Sequence, residues 1–302
     1  MNRKELGKTG ILLSEVGMGT WHYCGGPAPL RRGFEAGALF VDTAESYGTE
    51  EVVREALAGL RERVFVATKI SARNFRFEDA KKSAEASLRR LGLESIDLLQ
   101  LHEPNPAIPI SETMSAMEDL VDTGRVKFVG VSNFSVEQLE KAQKALGKYR
   151  IVSNQVRYNL IDRTIERELL PYCRENGITV IAYSPLSRGL ERIRDSDPKG
   201  IVRQLEQETG KTLAQLAIHW CIRKPGVVAI PKGNTAEHIL ENCAASGWEL
   251  SEAQEAMLDE GVAFRHRGRL DMLLRKYTPT GVRKIGLRLK KYLPRNLRRR
   301  LS

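Results

Sequence analysis

Four side chains in the first half of the sequence are of types that can move a proton together. Asp42 closes the apolar run Leu39-Phe40-Val41, and Tyr47 follows five residues later beside Gly48. Lys69 falls near the end of VFVATKI (64–70), and His102 closes IDLLQLH (96–102). A phenol titrates near pH ~10 in water, too high for efficient proton donation at neutral pH. An adjacent Lys69 ammonium is expected to favour the phenolate and lower that value. Asp42 paired with Lys69 keeps the amine charged and in place, and a neutral imidazole at His102 can hydrogen-bond a substrate oxygen. The set suits protonation of a carbonyl oxygen while a nucleophile arrives at carbon. No serine or cysteine accompanies a base in a way that suggests acyl transfer, so the nucleophile is external, and hydride from a cofactor fits.

The elements that must position these groups are legible as eight short apolar runs. They are SEVGMGT (14–20), LFVDT (39–43), VFVATKI (64–70), IDLLQLH (96–102), FVGVSN (128–133), VSNQVR (152–157), TVIAYS (179–184) and VVAIPK (227–232). Their near-continuous hydrophobicity is that of parallel strands buried on both faces. Between them lie segments of helical periodicity, including EEVVREALAGL, FEDAKKSAEASLRRLG and KTLAQLAIHWCIRKPG. Strand–helix alternation repeated eight times points to an α/β fold, a (β/α)8 TIM barrel. GMGTW lacks the GxGxxG fingerprint, which weakens a doubly wound alternative. The leading RKELGKTGILLSE reads as a β-hairpin ahead of the barrel.

In such a barrel, chemistry sits at the C-terminal ends of the strands. Those ends carry Thr20-Trp21, Asp42, Lys69, His102, Ser132-Asn133, Gln155, Tyr183-Ser184 and Lys232. The aromatic character of Trp21, Tyr23 and Phe75, with His22 and Glu103, suggests a substrate mouth of mixed polarity. Trp220, inside the helical LAQLAIHWCIRK, reads as core, and His219 beside it as structural or at the surface.

Composition is that of a water-soluble globular chain: 302 residues, 41% hydrophobic and 28% charged. No run approaches the ~20 apolar residues of a membrane span, and MNRKELGKTG has no signal-peptide core. Four scattered cysteines without a CxxC pair read as reduced, buried thiols of a cytoplasmic protein. Five histidines lack metal-site spacing, so no metal is expected. The net charge of +10 is unevenly placed: from Arg265 onward there are 14 Lys/Arg against one acid, leaving 34 basic and 37 acidic residues before it.

The sequence resembles the aldo-keto reductases. The resemblance rests on Leu6-Gly7-Lys8-Thr9-Gly10, GMGTW, VDTAESYG, VATKI, DLLQLHEPN, GRVKFVGVSNF, SNQVRYN, AYSPLSRG and IPKGNTAEHILEN, in order, over roughly residues 3–260. It implies the (β/α)8 barrel already inferred, and NAD(P)H-dependent reduction of an aldehyde or ketone. It places Asp42, Tyr47, Lys69 and His102 on the catalytic tetrad, with Tyr47 as proton donor. It assigns Ser132, Asn133 and Gln155 to the nicotinamide carboxamide and Tyr183 to the nicotinamide ring face. Ser184 and Leu186 fall at the pyrophosphate, and Thr20, Trp21 and Asp42 beside the ribose and substrate mouth. Lys232, Gly233, Asn234 and His238 fall at the adenosine phosphate, and Glu241 and Asn242 at the adenine.

Two departures from the family pattern stand out. Many members carry Ser after the phosphate lysine and Arg six residues beyond it, where this chain has Gly233 and His238. A neutral imidazole replaces a bidentate cation poorly, yet Lys232 keeps a charge there, so NADPH is expected, with NADH as the alternative. The other departure is the tail. Residues 1–264 make up the barrel domain and 265–302 a basic extension, in which Val282, Ile285, Leu289, Tyr292 and Leu293 share one helical face. Such a helix is expected to pack on the barrel with its basic end in water, or alternatively to meet an anionic membrane surface; without a recognised motif, nucleic-acid binding is not expected. A cofactor-binding regulatory or redox-sensor protein that docks through this tail is the alternative to an enzyme.

Overall fold

A computed structural model describes residues 1–266. The basic segment with its expected amphipathic helix therefore lies, beyond Arg265 and His266, outside the described residues.

Each of the eight apolar runs overlaps a barrel strand; six strands are shorter than their runs, whereas those of FVGVSN and VSNQVR begin ahead of theirs. The chain opens with an antiparallel hairpin, β1 (Arg3–Glu5) and β2 (Leu12–Ser14). The barrel strands follow as β3 (Met18–Gly19), β4 (Phe40–Asp42), β5 (Phe65–Ile70), β6 (Ile96–Leu101), β7 (Val126–Ser132), β8 (Ile151–Arg157), β9 (Thr179–Tyr183) and β10 (Val227–Ile230). All neighbours pair in parallel, in sequence order from β3 to β10. The ring closes where Gly17 and Gly19 donate to the carbonyls of Ala229 and Pro231, and Ala229 donates to Glu15. The fold is the (β/α)8 barrel.

Helices fill the connections: α1 (Pro27–Glu35), α2 (Glu50–Ala56), α3 (Phe77–Leu91), α4 (Ile110–Asp122), α5 (Val136–Ala145), α6 (Leu169–Glu175), α7 (Leu190–Asp195), α8 (Ile201–Thr209), α9 (Leu213–Ile222), α10 (Ala236–Cys243) and α11 (Glu252–Gly261). Local sequence explains several of their ends. Ser135-Gln138, Thr212-Gln215 and Ser251-Gln254 form capping boxes, satisfying otherwise orphaned amide donors. Gly92 ends α3 in the left-handed conformation, which glycine adopts without strain. α9 is buried at every position except Gln215, as its high hydrophobicity demands, and Trp220 is core as expected.

Alternation along the strands sorts their residues into two faces. Leu98, Ala67, Phe40, Ile181 and Val228 point into the barrel, where Leu6 and Leu13 of the hairpin join them. Lys4 of the hairpin donates through Nζ to the carbonyls of Ile222, Lys224 and Val227, at the N-terminal end of β10. The hairpin thus closes the end of the barrel away from the candidate site. One step further along the inward face, apolar side chains give way to Asp42, Lys69, Gln100 and Gln155. The barrel interior is therefore greasy below and polar where the strands end.

Candidate active site

Asp42 occupies the centre of that polar layer. Its side chain accepts from Lys69 Nζ at 2.6 Å through Oδ2 and from Gln155 Nε2 at 2.7 Å and Gln100 Nε2 at 3.1 Å through Oδ1. Lys69 donates also to the Thr43 carbonyl at 2.8 Å and is 0% exposed, against 2% for Asp42. A buried ammonium requires such a partner, since taking it out of water unpaired is very costly and only an opposite charge with good hydrogen bonds offsets that cost. Gln100 fits beneath Asp42 because its register partner on β7 is Gly130, where a Cβ would come within 2.3 Å of Ser153 Oγ and 3.1 Å of Gln100 Cγ.

Tyr47 lies above this pair on the segment between β4 and α2. Its hydroxyl is 3.3 Å from His102 Nε2, and Lys69 Nζ lies 4.8 Å from its ring centroid. Burial pushes the Tyr47 phenol well above its ordinary value, and the Asp42 carboxylate adds to the rise. This reverses the expected lowering by Lys69: the ammonium is neutralised by Asp42 at hydrogen-bonding distance, and its own pKa is pushed down by burial. The phenol therefore stays protonated, the form a donor requires. Burial, reinforced by Lys69, holds His102 down at about 4, so the imidazole is neutral at pH 7.

These groups open into a cleft of about 740 Å³ lined by Asp42, Tyr47, His102, Ser132, Asn133, Gln155, Tyr183, Ser184, Leu186, Trp21 and Lys232. Ser132 donates to the Gln155 carbonyl, Asn133 to Ser132 Oγ and the His102 carbonyl, and Tyr183 to Asn133 Oδ1 at 3.0 Å. Asn133 and Ser184 turn out of their strands with φ of 63° and 52°. Left-handed backbone at a non-glycine residue costs ~1–3 kcal/mol and gathers at functional sites. Lys232 is exposed, its Nζ 3.4 Å from the His22 carbonyl.

Other expected residues stand apart from the cleft lining. Thr20 is fully buried below it, joined to Thr49 Oγ1 at 2.8 Å. Lys69 reaches the cleft only through Tyr47 and Asp42. Gly233, Asn234, His238, Glu241 and Asn242 lie on the loop after β10 and on α10, with His238 exposed and Asn242 buried. Two aromatic assignments to the mouth are corrected. Phe75 is 1% exposed and packs in the main core, whereas Tyr23 packs against α1 and donates to the Gly26 carbonyl. His22 and Glu103 do line the cleft. Cys24 is exposed, unlike the other three thiols.

The fold brings two further residues to the site, Gln100 and Arg188, and buries a third, Ser187, in the loop after β9. Gln100 is hidden inside an apolar run. Arg188 lines the cleft with its guanidinium 4.7 Å from the Trp21 ring centroid. Ser187, 6% exposed and with φ of 57°, has a buried Oγ without a hydrogen-bond partner among the described residues. A flat tyrosine ring, three amide or hydroxyl side chains and an exposed lysine along one cleft suit a nicotinamide dinucleotide. Among the described residues, no group of three or more His, Cys, Asp or Glu could hold a metal ion, and no helix is long and apolar enough to cross a membrane.

A parallel barrel with a proton-handling cluster at the C-terminal strand ends and a dinucleotide-sized cleft above it is the architecture of a barrel oxidoreductase. The chain belongs to the aldo/keto reductase family, whose family model matches residues 15–263. It is 38% identical to methylglyoxal reductase YeaE of Escherichia coli over 276 residues, covering 87% of this chain and 96% of that protein. It is 30% identical to the NADH-specific methylglyoxal reductase of Escherichia coli, covering 86% of this chain and 98% of that protein. A solved aldo/keto reductase of Klebsiella pneumoniae in complex with NADP and acetate superposes with a TM-score of 0.79 at 36% identity, covering 88% of this chain and 97% of that one. The chain is thus an NAD(P)H-dependent oxidoreductase.

Proposed function

We propose that this chain reduces small aldehydes and ketones, with a 2-oxoaldehyde such as methylglyoxal as a substrate, and that Tyr47 is the proton donor. The observation that carries the reading is the Tyr47 hydroxyl at 3.3 Å from a neutral His102 inside the cleft, backed by the buried Asp42–Lys69 pair. Methylglyoxal is suggested by the names of two relatives that match nearly their full length.

His102 Nε2 and the Tyr47 hydroxyl bracket the place where a carbonyl oxygen would hydrogen-bond. As that oxygen gains negative charge, Tyr47 transfers its proton to it, and the alcohol leaves. The phenolate left behind is a poorly solvated anion beside the Asp42–Lys69 pair, Lys69 Nζ being 4.8 Å from its ring centroid, so it is a strong base that readily takes up a proton again. Asp42, held by Gln100 and Gln155 as well as by Lys69, keeps the amine in position. Bound NAD(P)H supplies the hydride. Asn133, Ser132, Gln155 and the Tyr183 ring would hold its nicotinamide, Ser184 and Leu186 its pyrophosphate, and Lys232 with its loop the adenosine end. Lys232 supports NADPH over NADH, although His238 in place of arginine narrows the preference.

Tyr47→Phe removes the donated proton and keeps the ring. Turnover of methylglyoxal, followed by cofactor absorbance, is expected to fall on the order of 10²–10⁴-fold, while fluorescence titration with NADPH stays within about twofold of the parent. Ordinary turnover in this variant would overturn the assignment.

A further inference from the structure

Tyr47 belongs to no regular element, yet its hydroxyl must be held within hydrogen-bonding reach of a substrate oxygen. The segment that carries it, residues 43–50, is laced along β5. Thr43 donates its amide to the Ala67 carbonyl, and Glu45 donates its amide to the Lys69 carbonyl. At the near end, Glu45 Oε1 accepts from the Ser71 amide at 2.6 Å and from Asn74 Nδ2 at 3.0 Å. At the far end stands Glu50, the first residue of α2.

Glu50 is an unusual first-turn acid. Such residues usually face water and contribute through the helix dipole, but Glu50 is 2% exposed. Its Oε1 accepts from the Thr68 hydroxyl at 2.6 Å, and its Oε2 from Arg90 Nε on α3 at 2.6 Å. Thr68 is the chain neighbour of Lys69, and its side chain points to the opposite face of β5, so one residue pair of that strand grips both the Tyr47 segment and Asp42. Thr49, preceding Glu50, completes the joint by sharing hydrogen bonds with Thr43 and Thr20. A buried carboxylate costs free energy unless it is paired and hydrogen-bonded, and the two contacts to Thr68 and Arg90 meet that requirement. The negative charge of Glu50 also acts on the Lys69 ammonium in the same sense as Asp42.

We propose that Glu50 is a positioning residue for proton delivery: it fixes the Tyr47 segment to β5 and thereby sets the distance between the Tyr47 hydroxyl and the substrate oxygen. The inference rests on Tyr47 being the donor. A misplacement of about 1 Å at a reacting group can cost on the order of 10²-fold in rate, so a small relaxation of this joint is read in kcat. The residues expected to hold the nicotinamide and pyrophosphate, Ser132, Asn133, Gln155, Tyr183 and Ser184, lie at the ends of other strands, and none of them is a hydrogen-bond partner of Glu50.

The experiment compares full-length Glu50→Gln, Glu50→Asp, Thr68→Val and Tyr47→Phe with the parent, using methylglyoxal and NADPH. Glu50→Gln is expected to lower kcat about tenfold or more, leave the KM for NADPH within about twofold, and raise the solvent deuterium isotope effect on kcat as proton transfer becomes limiting. Glu50→Asp is expected to recover part of the loss, and Thr68→Val to show the same kcat signature more weakly. Unchanged kcat and isotope effect in folded Glu50→Gln, with Tyr47→Phe inert, overturn the role of Glu50 alone. An active Tyr47→Phe overturns the donor assignment instead. Where Glu50→Gln does not fold, Thr68→Val decides, and a parental kcat there overturns the proposal.

Discussion

The floor of the cleft and the arm expected to hold the adenosine end differ in nearly every physical respect. The floor is dry: Asp42, Lys69, Gln100 and Gln155 are buried and meet one another through hydrogen bonds of 2.6–3.1 Å. The arm, the loop after β10 and the start of α10, carries Lys232 and His238 out in water. In the floor each group is the condition for burying the next, so a loss leaves a charge or a dipole stranded at low dielectric. In the arm each charge acts alone and is screened, so its contribution is small and separable. On the proposed function, the chemistry is placed where errors are costly and cofactor choice where they cost little.

This contrast can be broken most directly at Asp42. Asp42→Ala leaves Lys69 buried without its carboxylate, and denaturant unfolding is expected to lose ~3–5 kcal/mol. A loss below ~1 kcal/mol, in the range of exposed ion pairs, would mean that the floor is no more cooperative than the arm.

A smaller effect follows from His102. Folding lowers its pKa from 6.5 to about 4, so between these values the unfolded chain binds the extra proton. The stability that depends on neutral His102 is thus complete above pH 6.5 and is lost as pH falls through about 4. At 1.36 kcal/mol per pKa unit this is at most roughly 3.4 kcal/mol. Unfolding free energies measured across that window should slope less in His102→Asn than in the parent. Equal slopes would show that other groups carry the dependence.

The arm should yield the smallest changes. Lys232→Met is expected to weaken NADPH about tenfold, ~1.4 kcal/mol, and to leave NADH nearly unaffected, with the difference shrinking as salt rises. His238→Arg should tighten NADPH by about two- to threefold, within the ~0.2–1 kcal/mol of exposed ion pairs. Equal losses for both cofactors in Lys232→Met would remove the adenosine phosphate from its neighbourhood. Fluorescence titration reads both variants.

The barrel was legible because buried parallel strands must be continuously apolar and must end somewhere. An acid, a lysine or a histidine at such an end is visible without coordinates, and the ordered blocks from GMGTW to IPKGNTAEH placed the remainder. Gln100 escaped because a polar residue within IDLLQL looks like an imperfection in a strand. It becomes part of the floor only once Gly130 of the neighbouring strand makes room for it. Phe75 and Tyr23 were misplaced for a related reason: an aromatic near a strand end can turn toward the mouth or the core, and only packing decides.

By itself, then, the sequence determined the strand count, the parallel order and the identity of the groups at the strand ends, because these depend on periodicity and residue type. The tertiary structure alone decided how those groups behave. Burial keeps the proton on Tyr47 and holds His102 neutral, and it turns Glu50 from an ordinary first-turn acid into a joint between two elements. Desolvation and charge pairing depend on neighbours far apart in the chain, such as Asp42 with Gln155 or Glu50 with Arg90, and no local pattern records them.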